Sequence, residues 1–305
     1  MLRDGELRPV FILGHHRSGT TILYSLLAET GLFNVTTAYH VLNRHRLLEL
    51  HADGQEASAR EDLRSRFEAH GLRDREFDSI PITPDIPEEY AYALDHQGSH
   101  TRLSPPNLEG FLRFCQAVTA IQDPARPLLL KNPYDTGNFL YLREALPAAR
   151  FVFIHRDPVD VVSSQLRALR SLLEAKNEYV AMVVESYRRL FEQRVKLALT
   201  RFLWSERLPL LVNAAARTVT RVNDHVLRRG GEMADRCCHV TYAELCSAPA
   251  RTIAAILAFL GWPDVPERDY AGRVSPRRSP RPPEVEARRG RIRARNAEYC
   301  RRFGV

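Results

Sequence analysis

The chain has 305 residues, 44% of them apolar and 27% charged, with 44 Lys and Arg against 37 Asp and Glu for a net charge of +7. Such a chain can bury a sizeable core without disulfide or metal staples, and its composition excludes collagen and wholesale disorder. No apolar run approaches the ~20 residues that cross a bilayer, and Met1-Leu2-Arg3-Asp4-Gly5-Glu6 lacks a signal-peptide core, which points to the cytoplasm.

Val10-Phe11-Ile12-Leu13 is a continuous apolar run ending at Gly14, the pattern of a strand buried on both faces. Ile22, Leu23, Leu26 and Leu27 follow at helical spacing, and Gly31 stops that helix. The β-branched residues of Asn34–His40 read as a second strand. Helical patterns then cover 43–51, 55–70 and 108–121, interrupted by the Pro-rich Ile80–Pro87 and by loop signals over 95–107. Residues 41–122, rich in His and Tyr, therefore read as an insertion that shapes an acceptor pocket.

Leu128-Leu129-Leu130 and Phe151-Val152-Phe153-Ile154 are the next strands, with a helix from about Thr136 to Ala145 between them. Helices are expected over about 159–174, 177–203 and 213–229, then a strand at His239-Val240-Thr241. A last helix through Ile253, Ile256, Leu257 and Leu260 stops at Gly261. Strands alternating with helices predict a three-layer α/β/α fold around a central parallel sheet, in a domain spanning 1–272. Beyond it lie eleven arginines and three acids between Arg273 and Arg302. This Arg/Pro-rich segment reads as irregular over 273–290 and ends in a short helix. The five cysteines include no Cys-x-x-Cys pair, so they suggest neither a disulfide framework nor a zinc site.

Gly14-His15-His16-Arg17-Ser18-Gly19-Thr20-Thr21 runs from the first strand into the first helix, where backbone N–H groups and the helix dipole hold phosphate. The spacing is nearly that of a Walker A loop, but Thr20 stands in the place of the lysine that serves the β/γ-phosphates. The positive charge sits three residues earlier, at Arg17. Such a loop suits one phosphate rather than a triphosphate. A second motif leaves the strand ending at Ile154: Arg156 stands at its carboxyl end, the ligand side of an open α/β sheet, and Ser164 lies about two helical turns on. Arginine and hydroxyl could grip a second anion there; a salt bridge from Arg156 to Asp157 or Asp160 is the plainer alternative.

Together these motifs resemble the nucleotide-binding elements of sulfotransferases that use 3′-phosphoadenosine 5′-phosphosulfate, and most closely the bacterial and tyrosylprotein-type branch with Arg-Ser-Gly-Thr-Thr. The resemblance covers about residues 9–40 and 127–262 and implies a P-loop-like sulfotransferase fold. It implies that Arg17, Ser18, Gly19, Thr20 and Thr21 hold the 5′-phosphosulfate and that Arg156 and Ser164 bind the 3′-phosphate. It likewise implies that Lys131, one of three lysines in the chain, approaches the sulfuryl group, and that Tyr242 lies near the adenine. The cytosolic animal enzymes place a catalytic histidine two residues past that lysine, where this chain has Pro133. The nearest counterpart of the closer branch's basic glutamate is His40; Glu88, Glu89, His96 and His100 are the other candidates. Arg288-Arg289-Gly290 resembles a further 3′-phosphate element of the cytosolic branch.

The expected reaction is transfer of the sulfuryl group to a hydroxyl of a small-molecule or glycan acceptor, catalysed by His40, Lys131 and Arg17, without a divalent metal. A Mg-ATP-dependent small-molecule or nucleoside kinase is the first alternative. A nucleic-acid-binding protein acting through the basic tail is the second and least favoured. Oligomeric state leaves no trace in the sequence.

Overall fold

Five parallel strands form one sheet in the order β2-β3-β1-β4-β5. They are β1 (Val10–Leu13), β2 (Asn34–Val35), β3 (Leu128–Lys131), β4 (Arg150–His155) and β5 (Cys237–Thr241). The computed structural model describes residues 7–305 apart from 73–80, 95–100, 206–207, 209, 266–267, 271 and 275–279. Two of the sequence candidates, His96 and His100, lie outside the described residues.

The helices in chain order begin with α1 (Thr20–Ala28), α2 (Ala38–Leu42), α3 (Leu47–Ala52), α4 (Glu56–Ala69), α5 (Pro105–Ile121) and α6 (Phe139–Ala145). Next come α7 (Pro158–Glu174), α8 (Glu178–Val183), α9 (Glu185–Glu192), α10 (Arg194–Leu203) and α11 (Leu210–Arg229). The chain closes with α12 (Tyr242–Ser247), α13 (Pro249–Leu260), α14 (Pro283–Glu286), α15 (Arg289–Arg295) and α16 (Ala297–Phe303).

Alternation along the strands gives the sheet two apolar faces. Phe11, Leu130, Phe151 and Phe153 face one side, covered by Tyr90, Phe111 and Phe139. Ile12, Leu129, Val152 and Ile154 face the other, against Leu23, Leu26, Ile253 and Ile256 of α1 and α13. Both faces are dry, which is why the strands read as unbroken apolar runs rather than as alternating ones. The result is the expected three-layer arrangement. β1 sits in the middle, and the connections on its two sides diverge, so the loops after β1 and β4 open onto one crevice at the carboxyl edge of the sheet.

Three local expectations change. The stretch read as a strand over 34–40 is a strand only at Asn34–Val35. Thr37 then takes extended backbone and accepts from His40 N in a capping box, so His40 belongs to α2. The helix expected over 177–203 is three helices, because Val184 and Gln193 adopt extended ψ values of 96° and 84°. The basic tail is also more ordered than its composition suggests. Val285 and Ile292 are buried in a core shared with Val159, Val162 and Val219. Arg281 pairs with Asp160 at 2.8 Å and Arg293 with Asp157 at 2.5 Å, so part of the tail's charge is matched within the fold.

Candidate active site

A cavity of about 2130 Å³ opens at the carboxyl edge of the sheet. That is beyond the ~300–1,000 Å³ usual for one small ligand. The loop between β1 and α1 forms its floor. Arg17 holds φ 70°, the one non-glycine residue at positive φ among the described residues, and Gly19 holds φ 102°. Strain of this kind persists only where neighbours fix it. Here Ser18 donates from N and Oγ to His15 O, at 3.0 and 2.7 Å, and Gln165 Nε2 donates to His16 O at 3.1 Å. From below, Gly14 N donates to Thr136 Oγ1 at 2.9 Å. A Cβ on Gly19 would fall 2.5 Å from Tyr242 Cδ2, so only glycine fits between loop and ring.

The two sequence motifs converge on this loop. Arg156 Nη1 donates to Arg17 O at 2.7 Å, and its guanidinium stacks over the Tyr242 ring at 4.3 Å. Arg17 Nε in turn donates to Ser164 Oγ at 3.2 Å. Asp157 turns away: it caps α7 through Val159 N and Asp160 N and pairs with Arg293, which leaves Arg156 to the loop rather than to the salt bridge weighed above. Arg167 lies close enough to Arg156 that its guanidinium is held below the ordinary value, by partial burial first and then by that neighbour. Cations gathered this tightly repel one another unless an anion joins them.

Lys131, at the end of β3, is 1% exposed; its Nζ donates to Thr21 Oγ1 at 2.9 Å and lies 2.9 Å from Glu89 Oε1. The turn after it is held by Asp135, a fully buried carboxyl that accepts from Tyr90 OH at 2.6 Å, Asn132 Nδ2 at 2.9 Å and Asn138 Nδ2 at 2.7 Å. Burial pushes the Asp135 carboxyl up, and these donors oppose that. The loop side of the site carries two more rings, both partly buried. His15 Nε2 meets Asn223 Oδ1 at 2.8 Å and is pushed down to about 4, chiefly by burial. Burial lowers His16 as well. His15 is therefore neutral at physiological pH and adds no charge to the cradle.

Of the residues singled out in the sequence, Arg17, Gly19, Thr20, Thr21, Lys131, Arg156, Ser164 and Tyr242 line the cavity, and so does Glu89. Ser18 is buried beneath the loop and serves the turn. His40 does not reach the cavity. Its Nδ1 accepts from Thr37 N at 3.0 Å, and burial, helped by Arg60, drives the ring down to about 3. Glu88 is equally enclosed, accepting from Tyr179 OH at 2.5 Å and from Glu89 N at 3.0 Å. Arg288 donates to Glu284 O and Asn213 Oδ1, within the tail and toward α11. Sequence reading missed Gln165, Thr136 and Asn223, which touch the loop only because α7, the turn after β3 and α11 fold beside it.

The sulfotransferase family model matches residues 9–267. The omega-hydroxy-beta-dihydromenaquinone-9 sulfotransferases Stf3 of Mycobacterium bovis and Mycobacterium tuberculosis are each 28% identical to it over 228 residues, which is 64% of this chain and 56% of theirs. The chain thus spans little more than half the length of these curated relatives. Among solved structures, sulfotransferase STF9 from Mycobacterium avium superposes with a TM-score of 0.68 at 17% identity, over 98% of this chain and 77% of that one. Sulfotransferase STF1 from Mycobacterium tuberculosis H37Rv does so with a TM-score of 0.60 at 15% identity, over 96% and 77%. These similarities share the α/β/α frame described above, and the match over most of its length places the chain in the sulfotransferase family.

Proposed function

We propose that the protein transfers the sulfuryl group of 3′-phosphoadenosine 5′-phosphosulfate to a hydroxyl acceptor, releasing adenosine 3′,5′-bisphosphate. The observation that carries this reading is the closure of two anion motifs on one another, with Arg156 and Ser164 both bonded to Arg17 at the mouth of the phosphate loop. Two cationic subsites in contact suit a nucleotide bearing phosphate at both 5′ and 3′ positions. Thr20 stands where a Walker A loop carries the lysine that serves a γ-phosphate.

In this reading the acceptor oxygen attacks sulfur while the bond from sulfur to the bridging oxygen of the 5′-phosphate breaks. Glu89, rather than His40, takes the acceptor proton, because its carboxylate lines the cavity beside Lys131. Lys131, Arg17 and the loop N–H groups meet the charge that grows on the departing phosphate, the kind of preorganised stabilisation that dominates enzymatic rate enhancement. No step in this scheme calls for a divalent metal.

The acceptor is a hydroxylated apolar molecule. One wing of the cavity carries Leu169, Leu172, Val184, Trp204, Ala215 and Val219 among its lining residues, and the curated relatives are named for omega-hydroxy-beta-dihydromenaquinone-9.

Calorimetric titration with adenosine 3′,5′-bisphosphate, then with magnesium–ATP, tests the donor assignment. Metal-independent binding of the bisphosphate is expected. Binding of magnesium–ATP alone would replace this reading with the kinase.

A further inference from the structure

Among the described residues six large apolar side chains are notably exposed, and four of them stand on α10: Val195 at 84%, Leu199 at 56%, Phe202 at 53% and Leu203 at 42%. Their spacing, i, i+4, i+7 and i+8, places them on one side of the helix. With Ala198, also exposed, they occupy an arc of roughly 140° at 100° per residue. Leu197, the one buried residue of α10, points the opposite way, into the protein. The helix has no acid. Arg194 borders the apolar arc on one side and Lys196 on the other, while Arg201 turns its guanidinium to Leu173 O and Glu174 O at the end of α7.

A monomer gains nothing by leaving such a stripe in water, since each large side chain there forgoes part of the about 1.5–3 kcal/mol that complete burial brings. An apolar arc rimmed by cations on both edges is the arrangement that lies in a lipid interface, with chains below and headgroup phosphates at the rim. The position of α10 matters as much as its composition. It packs on α7 and α9, and its C-cap residue, Trp204, is part of the apolar wing of the cavity.

We propose that α10 seats the protein on an anionic bilayer surface, with the apolar wing of the cavity facing the lipid. No helix among the described residues is long and apolar enough to cross a membrane, and the docking proposed is peripheral. The inference extends the proposed apolar acceptor, because a molecule of that kind resides in the bilayer. Its physical basis is nevertheless the α10 face, which exists whatever the chemistry in the cradle.

Co-sedimentation with vesicles of phosphatidylglycerol and phosphatidylcholine, against phosphatidylcholine alone, tests the docking with no nucleotide present. The wild-type chain should pellet with the anionic vesicles, and less so at high salt. Leu199→Glu with Phe202→Glu should cut that binding at least tenfold while the thermal melt is unchanged. Lys196→Glu, a milder change, should weaken it several-fold. In a Trp262→Phe background, phospholipids brominated on the acyl chain should quench Trp204.

Wild-type protein left in the supernatant, pelleting indifferent to the substitutions, or unquenched Trp204 on bound protein would each overturn the proposal. So would a wild-type dimer that the double substitution splits, since the face would then belong to a second copy. Failure of bisphosphate binding alongside intact vesicle binding would instead count against the proposed transferase and leave the docking in place.

Discussion

Lys131 Nζ lies 2.9 Å from Glu89 Oε1 with the pair almost wholly enclosed, the lysine 1% and the glutamate 11% exposed as side chains. An ion pair this dry is costly to break from one side. It also joins the two groups that the proposed reaction needs, a cation for the leaving phosphate and a carboxylate for the acceptor proton. Lys131→Ala should lower turnover about 10²–10³-fold while binding of adenosine 3′,5′-bisphosphate persists. Glu89→Gln keeps the shape and removes the base, so kcat should fall about 10²–10⁴-fold with little change in donor affinity. Steady-state kinetics set beside calorimetry separates the two effects, and wild-type turnover in either variant would remove that residue from the mechanism.

Arg156 and Ser164 make a different prediction, because a 3′-phosphate subsite can be read by difference. Arg156→Ala and Ser164→Ala should each weaken the 3′,5′-bisphosphate, the arginine more. Charge-assisted hydrogen bonds of about 1.5–3 kcal/mol correspond to about 10–100-fold in Kd. Binding of adenosine 5′-monophosphate, which lacks that phosphate, should change far less with Ser164→Ala. Equal losses for both nucleotides would mean that Ser164 serves the loop through Arg17 and touches no ligand.

Much of this arrangement was legible in the chain because it is local. Val10–Leu13 followed by Gly14 and Gly19 fixes a strand, a phosphate loop and a helix within a few turns of chain, and the structure keeps that order. What local pattern cannot carry is which distant segment comes to rest beside it. Glu89 enters the cavity through the insertion: Glu88 N donates to Thr36 O at 2.8 Å and Tyr39 N to Pro84 O at 2.8 Å, pinning that segment against the chain after β2. The same pairing explains the misreading of 34–40. Thr36 and Thr37 are β-branched, but Thr37 spends its hydroxyl on capping α2, and a side chain bonded to nearby backbone competes with sheet formation. The basic tail misled for a related reason, since composition counts its arginines and not Val285, Ile292 and Tyr299 beneath them.

His40 offers a test on stability rather than rate. Its folded-state value of about 3 lies well below the ordinary 6.5, because burial penalises the imidazolium and Arg60 adds repulsion. The unfolded chain therefore takes up a proton that the folded chain refuses. The neutral ring destabilises nothing above pH 6.5, and stability is lost as pH falls from there toward 3, by at most about 1.4 kcal/mol per unit from this group. His40→Gln keeps a residue type that suits the N3 position of a capping box and removes the titration. Melts at pH 7 and pH 5 should show a smaller drop for the variant than for wild type. Its turnover at pH 7 should remain near wild type, whereas a loss of 10²-fold or more, on the scale of a general base, would restore His40 to that role.

The carboxyl-terminal helices should prove to be part of the fold rather than a detachable arm. Tyr299 OH meets His155 Nδ1 at 2.7 Å, one residue before Arg156, and Phe303 stacks on the same imidazole at 3.7 Å between ring centroids. Asn296 Oδ1 accepts from Asn223 Nδ2 at 2.9 Å, and Asn223 Oδ1 holds His15 at the edge of the phosphate loop. Ile292 fills the core between α7 and α11. Truncation after residue 272 uncovers all of these groups and should abolish cooperative unfolding. Ile292→Ala, a smaller injury, should cost about 2–5 kcal/mol in urea denaturation. Had the tail been an arm for polyanions, the truncated chain would melt as the full one does and lose only a steeply salt-dependent binding to nucleic acid. A truncated chain with an unchanged melt would favour that account over the one the buried contacts support.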